Sequence, residues 1–172
     1  MMFIESVNFR QAITSDIDSI WKILQGAIER RKADGSNQWQ DGYPNLEVVA
    51  NDIRKGAGYV LIQEGLIIGY VAILINDEPE YARLKGNWLT NVDFVVFHRV
   101  AVAESHLGKG VAKELFLHIE EFAREHGIKS IKADTNFDNK PMLFLFDKFE
   151  YSYCGDVTFR GSVRMAYEKV LK

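Results

Sequence analysis

Cysteine is nearly absent from this sequence: Cys154 is the only one among 172 residues. No intrachain disulfide can form, and this usage fits a reducing compartment, so a cytoplasmic location is expected. Only three prolines occur, and no Pro-, Gly- or Ser-rich tract interrupts the chain. Without a linker or an internal repeat, residues 1–172 read as one domain, long enough to bury a core. The longest apolar run, Leu66 to Ile75, is too short to span a bilayer, so no membrane association is expected. The N-terminal run MMFIESVNFR lacks the basic start and long apolar stretch of a signal peptide. The net charge is −3 and no Lys/Arg run appears, so nucleic acid is not an expected partner. Four histidines are present, but no spacing among them or the acids suggests a metal site.

What is present is an ordinary globular composition, 47% hydrophobic and 26% charged. Val7 to Ile13 reads as a first strand. Thr14-Ser15-Asp16 offers N-cap oxygens for a helix in which Ile17, Ile20, Trp21, Leu24 and Ile28 recur at helical spacing to about Lys32. Asp34 to Asn45 is polar and turn-rich, yet carries Trp39 and Tyr43. Leu46 to Lys55 reads as a second helix. Gly58 to Gln63 and Leu66 to Ile75 read as strands joined by a hairpin turn. Trp88 to Val102 has a continuously apolar centre, as expected of a strand covered on both faces. A helix from about Lys109 to His126 buries Val111, Leu115, Ile119 and Phe122 and ends at Gly127. Ile128 to Thr135 is then a strand parallel to the previous one, through a right-handed crossover. Asn139 to Lys148 forms a short helix, and Tyr151 to Phe159 and Val163 to Val170 close the chain as strands. The order is β-α-α-β-β-β-α-β-α-β-β, a mixed α/β arrangement.

The most informative stretch is His98 to Phe116, a buried strand, a glycine-bearing turn and a helix. Gly108, Lys109 and Gly110 stand where the helix begins. A helix N-terminus carries unpaired N–H groups and partial positive charge, and glycines let an anion approach the backbone. A phosphate-bearing ligand is one reading; a plain strand-to-helix turn is the other. Two familiar phosphate motifs fail on spacing: Ala103 occupies the first glycine position of a P-loop, and Lys113 the last position of a dinucleotide fingerprint.

Val100-Ala101-Val102, a four-residue turn, and Leu107-Gly108-Lys109-Gly110-Val111-Ala112 resemble motif A of the GNAT superfamily of N-acetyltransferases, written Q/R-x-x-G-x-G/A. Gly110 and Ala112 match its last two fixed positions; Leu107 departs from the first. The resemblance continues through Gln38-Trp39, Gly42-Tyr43-Pro44, Tyr81, Trp88-Leu89, His98-Arg99, Asp134-Thr135, Asn139-Lys140-Pro141-Met142 and Tyr153-Cys154-Gly155. It covers nearly the whole chain and looks like a bacterial branch of the superfamily.

The resemblance implies a GNAT-type mixed central sheet with helices on both faces, its strands splayed near Val102 and Thr135. It implies acetyl-coenzyme A as co-substrate, without a metal, and a small-molecule or peptide amine as acceptor. Backbone at Val100, Ala101, Val102 and Leu107 to Ala112 would hold the cofactor, with Lys109 adding charge. Asn139 and Met142 would touch its pantetheine arm. Trp39, Tyr43, Tyr81 and Trp88 would wall an acceptor pocket. His98, on the central strand, is the candidate base, with Asp93 and Glu80 as remote alternatives and a packed structural histidine as the plain reading. Relatives often place a tyrosine acid where Phe146 stands. That departure supports a second reading, a non-catalytic acyl-coenzyme A-binding module; a third is a plain interaction domain. Dimers are common in the superfamily, often through the late strands, and a homodimer is the assembly it implies.

Overall fold

The computed structural model describes residues 6–172. The first five residues, which open the N-terminal run considered above, lie outside it. Eight strands are present: β1 (Val7–Gln11), β2 (Gly58–Gln63), β3 (Leu66–Ile75), β4 (Lys85–Gly86), β5 (Phe94–Val102), β6 (Ser130–Thr135), β7 (Ser152–Phe159) and β8 (Ser162–Val170). They form one sheet in the order β1-β2-β3-β5-β6-β8-β7-β4. Four helices accompany them: α1 (Ile17–Ala33), α2 (Leu46–Arg54), α3 (Val111–Glu125) and α4 (Lys140–Lys148).

The helices lie on both faces of the sheet, as the resemblance implied. On one face Ile20, Ile23, Leu24 and Ala27 of α1 pack with Val49 of α2 against Val60 and Tyr70. On the other, Leu115, Phe116 and Ile119 of α3 and Leu145, Phe146 and Phe149 of α4 pack against Val71, Phe97 and Ile131. The stripe read from the sequence of α3 is therefore its buried face, although Phe122 is only partly covered.

Two differences from the sequence reading matter most for the site. The central strand begins at Phe94 rather than Trp88, because side-chain bonds hold the preceding segment out of the ladder. The Trp88 indole Nε1 donates to the Tyr81 carbonyl at 2.9 Å. The Leu89 N–H and Thr90 hydroxyl donate to the fully buried Glu168 carboxylate at 2.7 and 2.5 Å. The second difference is β4, a two-residue edge strand paired with β7. Its close approach requires glycine on both sides. Gly86 and Gly155 sit at φ 148° and 146°, and a Cβ on Gly155 would lie 2.3 Å from the Lys85 carbonyl oxygen.

Two features position the functional face. The parallel pairing of β5 with β6 holds only three residue pairs, ending at Val96↔Lys132, after which the strands part. The antiparallel ladder of β5 with β3 contains a bulge: Ala72 faces His98 and Tyr70 faces Ala101, with Arg99 at φ 60°.

The polar loop after α1 is fastened across the end of β6. Gln38 Oε1 accepts from Thr135 Oγ1, the Asn136 N–H and Asn139 Nδ2 at 3.0, 3.0 and 3.1 Å. The Asp138 carboxylate returns the connection, accepting from Ser36 Oγ at 2.6 Å, the Asn37 N–H at 3.1 Å and Asn136 Nδ2 at 2.6 Å. Burial works against the Asp138 charge, but these bonds outweigh it and lower its pKa.

Two predictions follow from these contacts. Gly155→Ala should destabilise by about 1–3 kcal/mol through overpacking against β4, read as a lower thermal midpoint; an unchanged midpoint would show that β4 docks without consequence. For Asp138 the folded pKa lies below the unfolded value, so its contribution is complete above about pH 4 and fades as pH falls through the folded value. Denaturant titrations of wild type and Asp138→Asn should therefore differ most near neutrality and converge towards pH 3. A difference that grows on acidification would contradict this assignment.

Candidate active site

Where β5 and β6 part, a groove opens between β5, the start of α3 and α4. Its cavity of about 240 Å³ is lined by Val100, Ala101, Val102, Leu107, Ala112, Met142 and neighbouring residues. Six of the residues expected to meet a cofactor are thus brought together. The turn at its end suits an anion. Gly108 and Gly110 adopt φ 74° and 80°, and the space a Cβ would fill at either is open. α3 begins directly after Gly110, so the N–H groups of its first turn lack carbonyl partners within the helix. Lys109 is exposed beside them. A diphosphate with an extended amide-bearing arm matches this turn and groove.

Val111 is 2% exposed and packs in the core, which leaves the backbone N–H for a ligand, as expected. Two positions differ in role from the expectation. Asn139 is 1% exposed; its Oδ1 accepts from the Met142 N–H and its Nδ2 donates to Gln38, so its side chain is committed to the loop and to α4. The Val102 carbonyl already accepts from Arg30 Nη2 at 3.0 Å. Part of the strand edge expected to pair with an incoming amide is therefore engaged.

A second cavity, of about 510 Å³, lies next along β5 and is lined by His98, Arg99, Glu78, Asp134, Tyr43 and residues of α2 and the β7–β8 turn. In a regular strand, residues 98 and 99 would face opposite sides of the sheet. The bulge at Arg99 turns both into this one cavity. Arg99 is held there by Asp52, with Nε and Nη2 to carboxylate distances of 2.9 and 2.5 Å. It also donates to the Tyr43 hydroxyl. Tyr70 donates to the same Asp52 at 2.6 Å. Burial opposes the Arg99 charge, but Tyr43 and Asp52 more than offset it and raise its pKa.

His98 sits between two carboxylates. Its Nε2 is 2.8 Å from Glu78 Oε2, and its Nδ1 is 4.0 Å from Asp134 Oδ2, beyond hydrogen-bond length. The His98 and Glu78 side chains are 16% and 13% exposed, covered but reachable. Asp134 also accepts from the Tyr81 hydroxyl at 2.7 Å. Burial, reinforced by Asp134, pushes the Tyr81 pKa well up and keeps it a donor.

Of the four aromatics expected to wall an acceptor pocket, only Tyr43 lines this cavity. Trp39 is 6% exposed and belongs to the α1 core, under the Arg31 guanidinium. Tyr81 is 2% exposed and supports Asp134 from below. Trp88 packs on Tyr81 with its ring tilted by 49° and the centroids 5.0 Å apart, and faces Lys132 at 4.3 Å. Large aromatics in polar segments serve here as buried supports, and the cavity wall is made of charge. The remote alternatives to His98 lie elsewhere: Asp93 accepts from Asn76, and Glu80 pairs with Arg83 on the surface. Glu78 is the acid that sequence reasoning missed. The run Asp77-Glu78-Pro79-Glu80 holds three acids in four positions, and only the fold selects the one facing β5.

The expected general-acid position is apolar and closed. Phe146 is fully buried and stacks on Tyr167 at 4.5 Å. Tyr151, five positions after Phe146, points into the same core and its hydroxyl has no partner. Tyr153 is exposed and donates to Asp156. Among the described residues, no group of three or more His, Cys, Asp or Glu could hold a metal ion, and no helix is long and apolar enough to cross a membrane.

Comparison with known proteins agrees with this geometry. A GNAT-family acetyltransferase from Streptococcus agalactiae is 31% identical, with TM-score 0.88 over 100% of this chain and 99% of that one. A GNAT-family acetyltransferase from Listeria monocytogenes shares the fold at 20% identity, with TM-score 0.77 over 96% and 95%. A Salmonella typhimurium protein solved with its cofactor acetyl-CoA shares the fold at 17% identity, with TM-score 0.67 over 98% and 95%. Streptothricin acetyltransferase of Streptomyces lavendulae is 30% identical over 56 residues; the match spans 33% of this chain and 30% of that protein. The family model for GNAT acetyltransferases matches residues 21–151, and this chain belongs to that family.

Proposed function

We propose that the protein transfers an acetyl group from acetyl-coenzyme A to a primary amine by direct attack. The observation that carries this reading is the succession along β5. His98 and Arg99 line one cavity, and Val100 to Val102 line the next. The first cavity holds a histidine–carboxylate pair suited to an amine. The second ends in an anion-binding turn suited to a pyrophosphate. An acceptor in one and a thioester in the other would meet at the bulge.

Acetyl-coenzyme A supplies an activated acyl carbon, and the protein supplies placement and proton transfer. The amine nitrogen bonds to that carbon as the carbon–sulfur bond breaks, and the electron pair leaves on the sulfur. The nitrogen must shed a proton. An amine of pKa ~10.4 costs roughly 4–5 kcal/mol to deprotonate at pH 7. A Glu78 carboxylate accepts from Nε2–H of His98, which selects that tautomer and leaves Nδ1 as the basic nitrogen. Asp134 Oδ2 stands 4.0 Å from Nδ1, on the side where the proton arrives. Neither Tyr151 nor Tyr153 is placed to protonate the sulfur, so departure as thiolate is the simpler course. Orientation of the two reactants supplies much of the rate. The name of the streptothricin relative supports a small-molecule acceptor. Phe146 favours a binding-only reading, which predicts cofactor affinity without turnover.

Gly110→Glu should abolish acetyl-coenzyme A binding in a calorimetric titration, because it places a side chain and a negative charge in the anion turn. Retained affinity would move the cofactor elsewhere. His98→Ala should lower kcat/KM about 100-fold or more at pH 7, within the range of general-base catalysis. The deficit should narrow as pH rises towards the amine pKa, because solvent then supplies the free amine. A constant deficit across pH would assign His98 a structural role, and tight binding with no coenzyme A release from any amine would favour the binding module.

A further inference from the structure

The acceptor cavity is lined by both signs of charge. Glu78, His98 and Asp134 occupy the part next to the bulge. Arg160, in the β7–β8 turn, and Arg164, on β8, line the same cavity. Neither arginine is saturated. The Arg164 side chain is only 8% exposed, yet its Nη1 lies 3.7 Å from Asp134 Oδ1 and its Nε has no hydrogen-bond partner. Buried guanidinium groups are ordinarily hydrogen-bonded on every side, because an unmatched one is costly. Arg160 uses only Nε, which donates to Asp41 at 2.9 Å. Its guanidinium lies 3.8 Å from the centre of the Tyr43 ring, which fixes its plane. Arg99 differs: all three of its guanidinium nitrogens are engaged, two by Asp52 and one by Tyr43.

Two guanidinium groups with spare donors make a site for a planar oxyanion, since a carboxylate accepts paired N–H bonds from the guanidinium edge. The volume, about 510 Å³, suits a molecule of a few to about twenty heavy atoms. We infer that the acceptor is a small amine that also carries a carboxylate, an amino acid or a close derivative. The amine lies at His98 Nδ1, beside Asp134, and the carboxylate at Arg160 and Arg164. A polycationic amine would place positive charge against these arginines, which excludes it as the preferred acceptor. This inference rests on the acetyl-transfer reading and narrows its acceptor.

The test screens free amino acids, each paired with its own carboxamide, by coenzyme A release. Each pair is also titrated calorimetrically into protein saturated with coenzyme A, so that binding is read without turnover. At least one acid should exceed its carboxamide about 10- to 100-fold in kcat/KM and in affinity, the range of one charge-assisted hydrogen-bond set. Arg160→Gln and Arg164→Gln should each drive that acid-to-amide ratio towards one. Arg164 is buried and its variant can fail to fold; Arg160 is exposed, so its variant decides the matter alone. Carboxamides used or bound as well as their acids, polyamines preferred over every acid, or a ratio unmoved by Arg160→Gln would each overturn the assignment. If acids bind with the expected ratio but no coenzyme A is released, the carboxylate site stands and the transfer reading fails.

Discussion

The functional face depends on one buried carboxylate. Asp52, on α2, gathers the Arg99 guanidinium and the Tyr70 hydroxyl from two adjacent strands. Arg99 stands in the left-handed backbone region, which costs a residue with a side chain about 1–3 kcal/mol. Its charge is mostly buried, which costs more. Asp52 and Tyr43 offset both by pairing the guanidinium where the bulge presents it. The bulge therefore persists. Its persistence sets His98 and Arg99 towards one cavity while the next residues of β5 serve the other.

A second constraint is the brevity of the β5–β6 ladder. Three pairs anchor the strands at one end. Beyond them α3 and α4 cover the gap from one side, and the C-terminal part of α1 borders it from the other. Phe116 and Phe146, both fully buried, fill the space behind the groove. Packed aromatics therefore back the gap from the α3–α4 side. The Gln38 and Asp138 contacts tie the polar loop after α1 to the far lip, so the two sides of the cleft are fastened to each other as well as to the sheet.

Much of this was legible in the sequence, for identifiable reasons. The period of Val111, Leu115 and Ile119 announces α3, and the glycines at 108 and 110 announce its start, because these signals are local. The charged cavity was not legible, because its contacts are not local. Asp52 meets Arg99 across 47 positions and Glu78 meets His98 across 20. No spacing rule links them. The aromatic residues misled for a different reason: the resemblance gave Trp39 and Trp88 a pocket role that their local sequence does not require. Trp39 is buried in the α1 core and Trp88 packs half-buried beside Tyr81. Asn139 shows a subtler case: the motif offers its amide to a ligand, but Gln38 takes the Nδ2 donor.

The distribution of roles between strand and turn also bears on how such a protein changes over time. His98 sits on β5, the strand whose residues also line the cofactor groove, and any change there disturbs both cavities. Arg160 sits in a two-sided exposed turn, stacked on a loop tyrosine, with Gly161 beside it in open space. Substitutions at that turn leave the sheet and the bulge intact. On the proposed reading, acceptor preference is therefore free to drift among descendants of this chain, and divergence between paralogues should concentrate at the β7–β8 turn.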